Sequence, residues 1–254
     1  LQIERVVSDP AYADFLLLPH NYFYLVKIKK EKTDEYISHF IELAEKHKKK
    51  ILIFAMADTD AFVDVPHSYI FRYSQYKYKQ RDNEIIIPPY TTYSAFYSKE
   101  GVEYRRNMAR EYMPRMKNKK PIVGFCGWAD FPNFFRFLTY RAHILIFDLK
   151  KYLLCDKHAS LHKHGIYWRR KAVHALLGSK KLNIQFILRK SYAAQKGLDG
   201  TREIKSFDAE KEYIDNIVSS DFVLAPKGHG NASIRFYEIL SLVRIPVLIN
   251  TDCP

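Results

Sequence analysis

Cysteine is scarce in this chain, and long apolar runs and internal repeats are missing. Cys126, Cys155 and Cys253 are too few and too scattered for a disulfide framework or a zinc-finger spacing, and a reducing compartment is the simplest reading. No apolar run reaches the roughly 18 residues of a transmembrane span. Without low-complexity tracts or repeats, the composition is that of a globular protein. Acidic residues are in deficit: 28 Asp and Glu stand against 41 Lys and Arg, a formal net charge of +13. Such a field favours anionic partners such as phosphates, acidic glycans, nucleic acid or an anionic membrane surface, and does not choose among them.

The chain has ample material for a core. Its 254 residues, 47% of them apolar, suit one large domain or two small ones. It opens on Leu1-Gln2 rather than Met and closes on Cys253-Pro254 straight after an expected strand, so it is read as a fragment at both ends.

The apolar pattern alternates between strand and helix. "ADFLLLP" (13–19), "KILIFAMAD" (50–58), "SYIFRYS" (68–74) and "NEIIIPPY" (83–90) read as strands, with a charged helix over 33–48 and a basic helix over about 100–118. "KNKKP" (117–121) reads as a linker, after which the rhythm restarts with the strand "PIVGFCG" (121–127). A polar and aromatic stretch precedes a helix over 165–178. Then come strands at 183–189, 221–226 and 245–250 and helices at 208–220 and 233–243. Two successive βαβ series predict an α/β protein of two Rossmann-like domains, 1–118 and 119–254, facing each other across a cleft.

The stretch "APKGHGNASIRFYEILSLVRIPVLIN" (225–250) carries the densest chemistry. Gly228 and Gly230 let backbone N–H groups approach a ligand, and the helix start near Ser233 adds unsatisfied donors and a positive dipole end. With Lys227 and Asn231 this makes a cradle for a diphosphate. Arg235 lies near the helix start, suited to neutralising phosphate. Glu238, one turn later, can accept both hydroxyls of a ribose. Spacing alone equally allows an i,i+3 ion pair between Arg235 and Glu238 on a solvated face.

"DFVLAPKGHGNASIRFYEILSLVRIPVLINTDCP" resembles the C-terminal donor-site segment of the exostosin-like glycosyltransferases (GT47). The matching positions are Pro226, Gly228, Ser233, Arg235, Glu238, Ile245, Pro246, Val247 and Asp252, with weaker echoes in "ADFLLLPHNY", "NEIIIPPY" and "PIVGFCG". The resemblance implies a GT-B fold, a nucleotide-sugar donor held by the C-terminal domain, an acceptor held mostly by the N-terminal one, and inversion at the anomeric carbon. The chain departs from the family at Val243-Arg244, where a Gly-Cys turn is common, and it stops at Pro254.

Other residues offer supporting roles. An inverting transferase needs a general base for the acceptor hydroxyl; His20, in "HNY" (20–22) beyond the first strand, fits, and Asp58 and Asp60 are rivals. "DTD" (58–60) is also similar to the metal-binding Asp-x-Asp of GT-A enzymes, although an acceptor-lining loop suits it better. Arg189, in "ILRKSY" (187–192), either pairs with diphosphate oxygens or is ordinary surface charge. Gly127-Trp128 forms a cleft floor or a structural turn. His158, His162 and His164 read as a solvated segment rather than a zinc site. The Tyr-rich stretch "FRYSQYKYKQR" (71–81) suits single-stranded nucleic acid, sugar stacking or an interfacial surface.

The resulting expectation is a metal-independent glycosyltransferase without a cofactor. It takes a UDP- or GDP-linked sugar as co-substrate and a glycan or glycoconjugate hydroxyl as acceptor. It works in the cytoplasm or at the cytoplasmic membrane face, or in the Golgi lumen where an anchor precedes it. Two rivals stand beside it: a non-catalytic glycan- or phosphate-binding module on the same fold, and a basic nucleic-acid-binding α/β protein.

Overall fold

The structure, a computed structural model, describes residues 6–28, 30–89, 103–104, 116, 118–131, 133–190 and 206–254. Among these the chain forms two four-stranded parallel sheets and six α-helices, an α/β architecture of Rossmann-like character. Contacts divide it into two units. One comprises residues up to Pro89 together with His229–Ala232 and Asp252–Pro254; the other comprises the described residues from there to Gly228, with Ser233–Thr251. The expected domains, 1–118 and 119–254, differ from these units at two short C-terminal segments and at Glu103, Tyr104, Met116 and Asn118, which fall in the second unit. The C-terminal segments join the first unit through hydrogen bonds: Lys77 N–H donates to Asp252 O (2.8 Å), and the Asn231 side-chain amide donates to Gln75 O (3.1 Å).

In the first unit the sheet runs β1 (Phe15–Leu17), β2 (Lys50–Ala55), β3 (Ser68–Arg72), β4 (Glu84–Ile86), in sequence order with every pair parallel. Helices α1 (Tyr22–Ile28) and α2 (Lys30–His47) lie between β1 and β2. Ile37 and Ala44 of α2 pack on Leu16, Ile51, Ile53 and Ile70 to form the core. The sequence reading placed α2 and missed α1, because α1 begins inside the "HNY" turn. Asn21 joins that turn to the end of β2: its side chain donates to Met56 O (2.9 Å) and accepts from Met56 N (3.2 Å).

The Tyr-rich basic stretch is split: its first part, through Tyr76, is largely interior and cannot meet nucleic acid, whereas Lys77, Tyr78, Lys79 and Gln80 are exposed. Arg72, Ser74, Gln75 and Tyr76 are all buried. The Arg72 guanidinium donates to Glu84 Oε1 (2.8 Å) and to the carbonyls of Thr59 (2.8 Å) and Ser74 (2.8 Å), tying β3 to β4 and to both neighbouring loops.

In the second unit the order is β6 (Asn183–Arg189), β5 (Ile122–Trp128), β7 (Phe222–Ala225), β8 (Ile245–Leu248), again all parallel. Helix α3 (Phe134–Leu153) follows β5, α4 (Gly165–Leu177) precedes β6, α5 (Ser206–Val218) precedes β7, and α6 (Ile234–Ser241) precedes β8. Val123 and Phe125 of β5 pack with Val173 of α4, whereas Val223 and Ala225 of β7 pack with Ile214 and Ile217 of α5 and Ile239 of α6. β5 is buried along its middle, which explains its unbroken apolar run. Arg244, where the resemblance noted in the sequence breaks, is buried and caps α5: its Nε donates to Val218 O (2.9 Å).

The sequence reading left 134–153 without an element. Apolar residues lie on two sides of α3, Phe137, Tyr140 and Phe147 opposite an exposed row of leucines, which blurs the helical spacing, and none is buried. Of the expected basic helix near 100–118, Glu103 and Tyr104 are helical, and most of the rest lies outside the described residues. No described helix is long and apolar enough to cross a membrane.

Candidate functional site

Strand order decides where a crevice can open. The first sheet never reverses direction. In the second, β6 lies on one side of β5 and β7 on the other, so chain connections diverge at the carboxyl end of β5. That end is Gly127-Trp128, and β7 leads into Pro226-Lys227-Gly228.

Beside it, α6 begins with two unpartnered polar groups. Ser233, its extended N-cap residue, is 9% exposed, and its Oγ has no hydrogen-bond partner. The Arg235 Nη1 atom is likewise buried without a partner. The guanidinium lies over the rings of Phe125 (4.8 Å) and Tyr213 (5.1 Å). Its Nη2 would stand 2.8 Å from a Cβ at Gly127, so glycine is what lets the cation lie against β5. Each buried unpaired polar group costs roughly 1–3 kcal/mol, a penalty that an anion placed between them would relieve.

Glu238 lies one turn on, half-buried, and accepts a hydrogen bond from the Tyr213 hydroxyl (2.5 Å). Burial raises its pKa, against the opposing effects of that hydrogen bond and of the Arg235 charge. Among the described residues it forms no ion pair with Arg235, so the pairing that spacing alone allows is not made.

The Gly-rich loop is arranged differently from a diphosphate cradle. Lys227 is 2% exposed, and its Nζ donates to Leu161 O (2.7 Å). A Cβ at Gly165 would meet Gly228 O at 2.4 Å and Lys227 O at 2.7 Å, so the first residue of α4 sits directly on this backbone. Arg169 donates to the carbonyls of Trp128 (3.5 Å) and Lys227 (3.5 Å), bridging the ends of β5 and β7.

Further along the same loop, the residues belong to the first unit. His229 N–H donates to Asp58 Oδ2 (2.6 Å), and Asn231 N–H donates to Ser74 Oγ (2.8 Å). These two amides, expected to face phosphate, are held by protein acceptors instead. Gly230 is pressed between them: a Cβ there would lie 2.6 Å from Asp58 Oδ1, 2.7 Å from the Asp58 carbonyl carbon and 2.7 Å from Ser74 Oγ. Gly230→Ala is therefore expected to destabilise the first unit by about 1–3 kcal/mol, as overpacking does. Hydrogen exchange at β2 and β3 measures it, and unchanged protection would mean the loop yields freely.

Of the remaining expected site residues, Arg189 is paired with Glu212 (2.6 Å) and donates to Ala209 O (3.0 Å), anchoring α5 to the end of β6. Asp60 is paired with Lys79 (2.7 Å). His20 is exposed beyond β1, its ring 6.3 Å from that of Tyr36. His20 and Asp58 thus stand beyond the carboxyl ends of the adjacent strands β1 and β2. Among the described residues no group of three or more His, Cys, Asp or Glu side chains is placed to hold a metal ion.

Sequence reasoning missed Tyr213 and Arg169. Tyr213 sits in a helix read only for its apolar stripe, and Arg169 opens a run of three cations after Trp168, Arg169-Arg170-Lys171, with nothing to single it out. Comparison with protein-family models, with curated proteins and with solved structures finds no match to the chain.

Proposed function

We propose that the chain is a glycosyltransferase of GT-B type that moves a sugar from a UDP- or GDP-linked donor to a hydroxyl of a glycan or glycoconjugate, with inversion. One observation carries the reading: two buried, unpartnered donors, Ser233 Oγ and Arg235 Nη1, at the start of a helix beside the strand-order reversal. A diphosphate supplies the acceptors that both atoms lack. Val243 adds support: it stands where the family commonly has glycine, and its φ of 55° lies in the left-handed region that favours glycine.

In this mechanism the acceptor oxygen attacks the anomeric carbon as the bond to the diphosphate breaks. Arg235 and Ser233 stabilise the charge that develops on the leaving group. Glu238 receives a ribose hydroxyl beside the hydroxyl of Tyr213. The acceptor lies with the first unit, where His20 takes its proton; the rivals are Asp58, whose Oδ2 accepts from His229 N–H and whose Oδ1 has no partner, and Asp60, paired with Lys79. A second reading, a glycan- or phosphate-binding module without turnover, draws on the commitment of Lys227 and of the His229 and Asn231 amides to protein acceptors.

Glu238→Gln tests the donor assignment. Glutamine keeps an acceptor for Tyr213 and removes the charge. A carboxyl whose folded pKa is raised contributes stability that is fully present below its unfolded pKa and lost as pH rises through the folded one. At neutral pH the variant is therefore expected to be at least as stable as the parent. Its affinity for UDP or GDP should fall by roughly 10–100-fold, the worth of a charged hydrogen bond. Thermal shift across a nucleotide-sugar panel and titration calorimetry read both quantities. Equal nucleotide affinity in parent and variant would remove Glu238 from the site.

A further inference from the structure

We propose that α3 is an interfacial helix that docks the protein on an anionic lipid surface. At about 100° per residue, Phe134, Leu138, Leu145, Ile146, Leu149 and Leu153 fall within roughly one third of the helix circumference. Each of them is 45–75% exposed, along a helix of 20 residues in which no residue is buried. A soluble protein seldom leaves so continuous an apolar face in water unless something covers it.

The helix is fixed on its opposite side. Phe137 and Tyr140 pack on Phe131 (5.9 and 4.7 Å), the His143 ring lies 4.4 Å from that of His164, and Asp148 is paired with Lys163 (2.6 Å). The apolar face is thus held outward by the fold.

Charge selects the occupant. The acid of this helix, Asp148, is neutralised by Lys163, while Arg136, Arg141, Lys150 and Lys151 have no carboxylate partner among the described residues. Arg141 and Lys150 border the apolar sector on its two sides. An apolar stripe with cationic margins is the pattern of a helix lying in the plane of an anionic headgroup layer. A second copy of the chain is a poor fit, because each copy carries +13 and would bring the same cations to the seam.

The test uses the full chain with vesicles of phosphatidylcholine alone or mixed with phosphatidylserine. Sedimentation with the mixed vesicles, weakening as salt is raised, and little sedimentation with phosphatidylcholine are expected. Charge alone could draw a basic protein to such vesicles, so the deciding variant is Leu145→Ser/Leu149→Ser, which leaves every charge in place. It should keep the parental Tm, because both side chains are exposed, and bind the mixed vesicles about tenfold or more weakly. Arg141→Gln/Lys150→Gln should also weaken binding, by about fivefold per residue. In Leu149→Trp, mixed vesicles should shift the added emission to shorter wavelength. The proposal is overturned if the serine variant binds as the parent does, or if the parent binds neither vesicle. It is also overturned if sedimentation velocity shows a dimer that the serine variant abolishes while vesicles leave the protein in solution.

Discussion

Glu84→Gln is expected to destabilise the first unit by about 3–5 kcal/mol, the usual consequence of removing one partner from a buried ion pair. Arg72 and Glu84 have side chains 0% and 1% exposed. Glu84 Oε1 accepts from Arg72 Nη1 (2.8 Å) and Arg81 Nη2 (3.2 Å); Oε2 accepts from Arg81 N–H (3.2 Å) and the Gln75 amide (3.3 Å). A glutamine of the same shape turns an NH₂ group towards donors and leaves the Arg72 charge uncompensated. Burial pushes the Glu84 carboxyl up, but the Arg81 amide and the Arg72 hydrogen bond and charge outweigh it, so the pKa lies below the ordinary value. The sign follows: this stability is present above the unfolded pKa of about 4.3 and is lost as pH falls through the folded one. The difference between parent and variant should therefore be full at pH 7 and shrink in acid. Both tryptophans, Trp128 and Trp168, lie in the second unit, so hydrogen exchange at β3 and β4 is the probe for the first. Parental protection in the variant at pH 7 would show that the pair contributes little.

The same network bears on the Gly-rich loop. Arg72 holds the carbonyls of Thr59, Ala61 and Ser74, and Asp58 and Ser74 in turn hold the His229 and Asn231 amides. Loosening it should release the residues that immediately precede Ser233 in the chain.

Much of the fold was legible because its strands are parallel and apolar, with β2, β3, β5 and β7 largely buried, and their runs stand out against charged helices. β6 coincides with the run read from the sequence, and the neighbouring helices differ only at their ends. α3 was illegible for the opposite reason. Its apolar residues fall on two sides, an exposed row of leucines and the opposed Phe137 and Tyr140 that pack on Phe131, so no single stripe stands out.

At the site, Ser233, Arg235 and Glu238 were readable as spacing on one helix. The role of the loop before them was not, since it depends on contacts such as Asp58 with His229 and Ser74 with Asn231, far apart in sequence. Local glycine content suggests free amides, and only long-range pairing reveals that two of them are taken. Gly127 shows the same limit: its lack of a side chain matters because Arg235, from a distant helix, occupies that space.

Arg235→Ala should lower kcat for sugar transfer by about 10²–10³-fold, the range for removing one preorganised donor that faces developing charge. The reason is the state of its guanidinium. It lies over two rings and against Gly127, with Nη1 buried and unpartnered, and makes no ion pair with Glu238 among the described residues. A cation kept in that condition without a ligand is a burden on the fold, so the alanine variant should retain the parental Tm or exceed it. Arg235→Lys should fail to restore turnover, because an ammonium cannot reproduce the planar fork that meets two diphosphate oxygens. Gly127→Ala makes an independent check, since its methyl group would occupy the space of Nη2 and push the guanidinium off β5 while leaving the charge in the protein. It should lower kcat in the same direction as Arg235→Ala. If the parent binds nucleotide without turnover and Arg235→Ala abolishes that binding, the non-catalytic module is the correct reading. If Arg235→Ala and Gly127→Ala both match the parent in nucleotide affinity and kcat, the anion site at the start of α6 does not exist.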